Sequence, residues 1–247
     1  MTSLTTCVDA EAAAKRAATE IARRLQAALG ERGAAHLALS GGSTPARTYE
    51  LLAGELDDWR GVELWFADER CVGPQDEESN FRLAKETLLD AAKGLAPQGV
   101  HRMLGELGPE DGAERYEQEL RVHAPAQSAG EGQPAKPPAL DVIVLGIGPD
   151  GHVASLFPGA PTLDADEQQL CLGVHDSPKP PPQRITLTMP VLHAAKRCVL
   201  LATGTSKADA VNAMLGESSR HVPASLLRRG RLSVIVDDAA APAPLQH

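Results

Sequence analysis

The stretch Leu140–Gly159, LDVIVLGIGPDGHVASLFPG, decides how the rest of the chain is read. Its first half is a continuous apolar run of strand length, the pattern of a strand covered on both faces. Its second half has the spacing Gly146-x-Gly148-x-x-Gly151 of a dinucleotide-binding loop, but with Asp150, Gly151 and His152 set into it. A dinucleotide loop requires a long helix after the third glycine and an acidic residue about 20 positions further on, at the tip of a second strand. Here Pro158 and Pro161 break the chain, and Asp164 and Asp166 fall in a Pro/Gly loop. The glycine between Asp150 and His152 instead allows a sharp fold that brings carboxylate to imidazole, fixing the ring's tautomer and steadying its protonated form. A histidine after a strand is commonly a polar loop residue; placed this way it is a candidate general base.

Outward from this stretch, AHLALS, VELWF, RCVLLAT and RLSVIV are further apolar runs of strand length. ARTYELLA, NFRLAKETLLD and SKADAVNAML carry helical periodicity between them. Near the start, Glu11–Leu29 is rich in Ala, Leu, Glu and Arg and predicts a helix that Gly30 can end. This alternation predicts an α/β fold, a mainly parallel, doubly wound sheet flanked by helices on both faces. In RITLTM, alternation puts Ile185, Leu187 and Met189 on one face. PAQSAGEGQPAKPP, residues 125–138, has no periodicity and reads as a flexible surface connection within one domain spanning 1–247.

The net charge of −9 argues against a nucleic-acid or anionic-membrane surface, which would need clustered Lys and Arg. An anionic partner must therefore meet a local positive site. With aromatic residues at 3%, stacking platforms do not dominate recognition. Cys7, Cys71, Cys171 and Cys198 are scattered and form no C-x-x-C pair of the zinc or redox type, so no metal is expected. No apolar run approaches the roughly 20 residues of a membrane span and no secretory leader opens the chain, which predicts a cytoplasmic protein.

Three more motifs stand at strand ends. In LALSGGSTPARTYELLA, Gly41 and Gly42 let the backbone approach a ligand, and Ser43-Thr44-Pro45 opens a helix whose free N–H groups favour a phosphate. The same residues also suit a tight turn with a Ser/Thr cap and no ligand. Asp68-Glu69-Arg70 follows VELWF either as a solvated turn or as a rigid arginine aimed at a substrate oxygen. In VLLATGTSKADAVNAML, Ser206 and Asp209 have capping-box spacing, and Lys207 falls in a first turn that disfavours a cation unless an anion offsets it. Arg184, leading into ITLTM, reads either as a fifth member of the set or as a surface arginine. In open parallel sheets ligands sit beyond the carboxyl ends of the strands, where all these motifs fall.

Together SGGSTP, ADERCV…SNF, GIGPDGHVASLFP, RITLTMPVL, TGTSKADAV and HVPASLL resemble the 6-phosphogluconolactonase family, which is related to the glucosamine-6-phosphate deaminases. The resemblance runs in order from about Leu37 to Val236. It implies a modified doubly wound fold and hydrolysis of 6-phospho-D-glucono-1,5-lactone to 6-phosphogluconate in the pentose phosphate pathway, without metal or cofactor. It further implies that His152 activates water, that Asp150 orients it, that Arg70 contacts the lactone or carboxylate end, and that Gly42, Ser43, Thr44, Arg184 and Lys207 hold the phosphate. The partner so implied is a small-molecule sugar phosphate lactone, bound by a monomer or homodimer. One departure falls near the site: Gly73-Pro74 follows ADERCV where the family places proline directly. A deaminase of the same family would carry an acidic residue five positions beyond the histidine, where this chain has Phe157. A sugar-phosphate sensor that has lost its chemistry is the other alternative, opposed by the retained Asp150 and His152.

Overall fold

A computed structural model describes residues 2–127 and 135–242. Its centre is a six-stranded, wholly parallel sheet made by β1 (Ser3–Cys7), β2 (Ala35–Leu39), β3 (Val62–Phe66), β5 (Val142–Gly146), β8 (Cys198–Ala202) and β9 (Leu232–Asp237), in the order β1-β9-β8-β5-β2-β3. The apolar runs read from sequence are five of its six strands, β3 at one edge and the other four inside, and every residue of β2, β8 and β9 is buried. A second sheet of three antiparallel strands, order β4-β7-β6, is formed by β4 (Asp68–Arg70), β6 (Cys171–Val174) and β7 (Arg184–Leu187). The expected mainly parallel α/β architecture is present, with this antiparallel addition.

Helix α1 (Ala10–Arg32) presents Ala13, Ala17, Ile21, Leu25 and Ala28 inward at three- and four-residue spacing. Asp9 caps its start by accepting the Ala12 N–H at 2.7 Å. The helix passes through Gly30 and ends at Gly33, whose φ of 70° supplies the left-handed stop. α1 packs on α2 (Ser43–Leu52) and on the central sheet. α3 (Asn80–Ala84) runs on through a wider turn to Leu89. α4 (Pro109–His123) covers β6 and β7, and α5 (Met189–Ala194) and α6 (Ala208–Leu215) flank β8 in sequence.

Three local expectations are corrected. β7 is buried along its whole length with α4 packed on it, and Met189 starts α5 rather than continuing the alternation of RITLTM. Asp68-Glu69-Arg70 is a strand rather than a solvated turn. The Ser206/Asp209 capping box does not form: α6 has no side-chain cap, and Asp237 instead takes the Gly204 N–H with both carboxylate oxygens at 3.0 Å. Of the anticipated connection at 125–138, residues 128–134 lie outside the described residues.

Two buried tyrosines fix where strands hand over to site loops. The Tyr49 hydroxyl of α2 accepts the Ser40 N–H and donates to the Ser40 carbonyl, both at 2.8 Å. The Tyr116 hydroxyl of α4 does the same for Phe66, at 2.7 and 3.1 Å.

Candidate active site

The loop after β2 is shaped from both sides. Gly41 must be glycine because a Cβ there would lie 1.9 Å from Asn80 Oδ1, and Gly42 has a φ of 112° that few side chains tolerate. α2 then begins with no side-chain cap, so the purely structural Ser/Thr-cap reading of this turn does not hold. Among the described residues the N–H groups of Gly42, Ser43 and Thr44 meet no acceptor, which leaves three donors and the positive end of a ten-residue helix facing outward. Thr44 Oγ1 is 2.7 Å from Thr203 Oγ1, tying this loop to the end of β8.

β4 carries a buried polar hub. Glu69 accepts the backbone N–H groups of Arg70, Asn80 and Phe81 at 2.7–2.8 Å and the Ser79 hydroxyl at 3.1 Å, which closes the intervening loop. Burial raises its pKa against the pull of those donors. Asp68 accepts from Ser155 Oγ at 2.7 Å and from the Asn80 amide. Arg70 donates to the Glu78 carbonyl, so Gly73-Pro74 does not free its side chain, while its Nε is buried without an acceptor. Directly across the β4–β7 pair stands Arg184. It is 5% exposed and thus not a surface arginine. It holds the carbonyls of Lys179, Pro180 and Pro181 at 3.1–3.2 Å, and its guanidinium lies 5.9 Å from the Phe157 ring centre. Burial pushes its pKa down. Two arginines facing each other in neighbouring strands repel, and an anion between them relieves that cost.

The loop after β5 builds the Asp150–His152 pair. His152 Nδ1 lies 2.6 Å from Asp150 Oδ1, and the imidazole packs against Phe157 with ring centres 4.7 Å apart. Of the three glycines, Gly148 is the one that this pair requires. A Cβ on Gly148 would sit 2.0 Å from His152 Nδ1 and 2.3 Å from Asp150 Oδ1. Gly151 has a φ of 81° and would meet Val222 at 2.8 Å. The next turn puts Ala154 at a φ of 49°, which directs Ser155 toward Asp68 and Thr186. Burial, which favours the neutral ring, lowers the His152 pKa against the opposing effect of its hydrogen bond to Asp150. For Asp150, burial pushes the pKa up, but the His152 hydrogen bond and nearby positive charge hold it below the usual carboxylate range. With Nδ1–H donated to Asp150, Nε2 carries the lone pair, and it meets no partner among the described residues.

These loops meet in one cavity of about 290 Å3. Its lining includes Gly41, Gly42, Ser43, Thr44, Arg70, His152, Arg184 and Lys207, while Asp150 stands behind His152. All nine residues singled out from sequence therefore converge. Sequence reasoning missed Lys179, which lies in the Pro-rich SPKPPPQ segment, reaches Asp150 at 3.6 Å and lines the same cavity. It named Asp68 without giving it a place in the site and passed over Asn80, and both line the cavity. Burial and the charge of Lys179 lower the Lys207 pKa. Four cationic side chains thus surround the cavity of a protein whose net charge is −9. Among the described residues no group of three His, Cys, Asp or Glu side chains is arranged to hold a metal, and no helix is long and apolar enough to cross a membrane.

Comparison with known proteins identifies the family. Residues 8–236 match the family model described as glucosamine-6-phosphate isomerases/6-phosphogluconolactonase. A 6-phosphogluconolactonase of Streptomyces coelicolor is 39% identical, over 94% of this chain and 91% of its own. The 6-phosphogluconolactonase of Rattus norvegicus is 37% identical, over 90% of this chain and 85% of its own. A solved 6-phosphogluconolactonase from Trypanosoma brucei superimposes with a TM-score of 0.85 at 25% identity, covering 97% of both chains. The chain belongs to the glucosamine-6-phosphate isomerase/6-phosphogluconolactonase family.

Proposed function

We propose that the protein hydrolyses 6-phospho-D-glucono-1,5-lactone to 6-phosphogluconate, with His152 as general base. The observation that carries this reading is the pairing of an Asp150-oriented imidazole with a phosphate-type cradle in a single cavity. A δ-lactone is an activated ester, so a positioned water, a base working near neutrality and a donor for the oxyanion suffice. His152 Nε2 takes a proton from water as the oxygen attacks C1, and the carbonyl electrons move onto its oxygen. On collapse the bond from C1 to the ring oxygen breaks, and that oxygen takes the proton held on Nε2. Asp150 steadies the imidazolium in between. Arg70, with its unpartnered Nε, faces the developing negative charge. Gly41, Gly42, Ser43, Thr44, Arg184 and Lys207 hold the phosphate and spend its binding on aligning C1 with the base.

The deaminase alternative is disfavoured by Phe157, an apolar ring packed on His152 where a further proton carrier would stand. The expected setting is the cytoplasm, with a monomer or homodimer acting on a small molecule. The test follows the disappearance of the phosphorylated lactone with and without protein, because the lactone also opens spontaneously. Acceleration abolished by His152→Ala, with 6-phosphogluconate still bound, supports the reading. Lactone decay at the buffer rate despite tight 6-phosphogluconate binding points to a sensor, and ammonia release from glucosamine 6-phosphate points to a deaminase.

A further inference from the structure

The amino ends of the parallel strands lie at the opposite edge of the central sheet, one strand length or about 17 Å from the carboxyl ends. There the middle of α1, the starts of β1 and β9 and the residue before β8 enclose a second cavity of about 260 Å3. Arg16, Arg23 and Arg24 line it from α1, and Arg197 lines it from the head of β8. The one acid in the lining, Glu20, is already engaged: it accepts from Arg24 at 3.0 Å and from the Ser233 hydroxyl at 2.7 Å. Among the described residues the other three arginines have no carboxylate partner, and Arg197 Nε is buried without any acceptor. Burial, then the charge of Arg24, depresses the Arg197 pKa, a sign of positive charge held together at a cost.

An acidic chain that gathers four arginines round one concavity, with Glu20 the single acid in the lining to offset them, has built a local field for an anion. Guanidinium forks match phosphate oxygens two at a time, and no aromatic ring in the lining offers a surface for a base to stack on. We propose that this basin is a second anion-binding site, separate from the candidate active site, that takes a small phosphorylated molecule carrying at least two negative charges and no aromatic base.

The experiment titrates the full chain calorimetrically with inorganic pyrophosphate and, in a second arm, with a hexose bisphosphate. Two independent sites are expected. Arg197→Gln should weaken one of them roughly ten- to a hundredfold, the loss of a charge-assisted hydrogen bond, while leaving lactone turnover unchanged. Arg23→Gln, at an exposed position that cannot unfold the chain, should weaken the same site severalfold. Lys207→Ala should affect only the other. The tighter of the two probes tells a free-phosphate ligand from a sugar-phosphate one. A single site abolished by Lys207→Ala, or two sites that neither Arg197→Gln nor Arg23→Gln alters, overturns the proposal.

Discussion

Replacing Gly148 with alanine isolates the Asp150–His152 pair from everything else in the cavity. Gly148 is not among the glycines with positive φ, so alanine is permitted by the backbone, and the effect is purely one of space. The added Cβ would lie 2.0 Å from His152 Nδ1, 2.2 Å from Cε1 and 2.3 Å from Asp150 Oδ1. Since carbon atoms rest about 3.5 Å or more apart, the imidazole must retreat by about 1.5 Å. It has little room, being packed on Phe157. The 2.6 Å hydrogen bond to Asp150 cannot survive such a shift with its present geometry. A misplacement of about 1 Å costs about 10²-fold in rate, which is about 2.7 kcal/mol of transition-state stabilisation. The assay is lactone turnover corrected for spontaneous opening, alongside calorimetric binding of 6-phosphogluconate. We expect kcat to fall at least about 100-fold while Kd changes less than about threefold, because the phosphate groups sit on other loops. A Gly148→Ala protein that retains kcat within about threefold of the parent would refute the role given to the pair.

Other expectations follow from the same geometry. Because burial holds the His152 pKa below its ordinary 6.5, kcat/KM should be flat above about pH 6.5 and fall as pH drops through the lowered value. Asp150→Asn removes the anion that favours the imidazolium, so the acidic limb moves to still lower pH while the plateau falls by about 10²–10⁴-fold. Lys179→Ala removes a repelling cation and should shift that limb the opposite way; a pH–rate series on the three proteins checks both signs. Lys207→Ala should raise KM for the phosphorylated lactone about tenfold or more and barely change turnover of the unphosphorylated lactone, a contrast read from parallel kinetics. Arg184→Leu deprives three carbonyls of a charged donor and should cost on the order of 3 kcal/mol in denaturant unfolding, with weaker substrate binding.

What could be read from sequence was what leaves a periodic or compositional trace. β2, β3, β5, β8 and β9 are predominantly apolar because they are covered on both faces over most of their length. β1 is an edge strand of mixed polarity, SLTTC, and gave no such signal. β4 consists of three charged residues, and only the surrounding donors make Glu69 a buried hub. β7 takes one partner, β4, from a distant part of the chain and the other, β6, from nearby, and the alternation of RITLTM stops at Leu187 because Met189 starts α5. Gly41–Thr44, Asp150, His152 and Lys207 were legible because they stand beside glycine turns at strand ends, whereas Arg70 and Arg184 were read only from their place at the ends of short strands. Lys179 was not legible, since a lysine among prolines looks like surface until the loop is folded over Asp150.

The two tyrosine hydroxyls that hold Ser40 and Phe66 belong to the only tyrosines in the chain, and both rings are completely enclosed. Enclosure pushes both phenols well above their ordinary ionisation near pH 10, so in alkali the unfolded chain sheds protons that the native one keeps. Native stability should therefore decline by about 1.4 kcal/mol per pH unit for each tyrosine beyond that point. Phenolate absorbance, absent until the chain opens, makes the protein its own spectroscopic indicator of global unfolding under alkaline conditions.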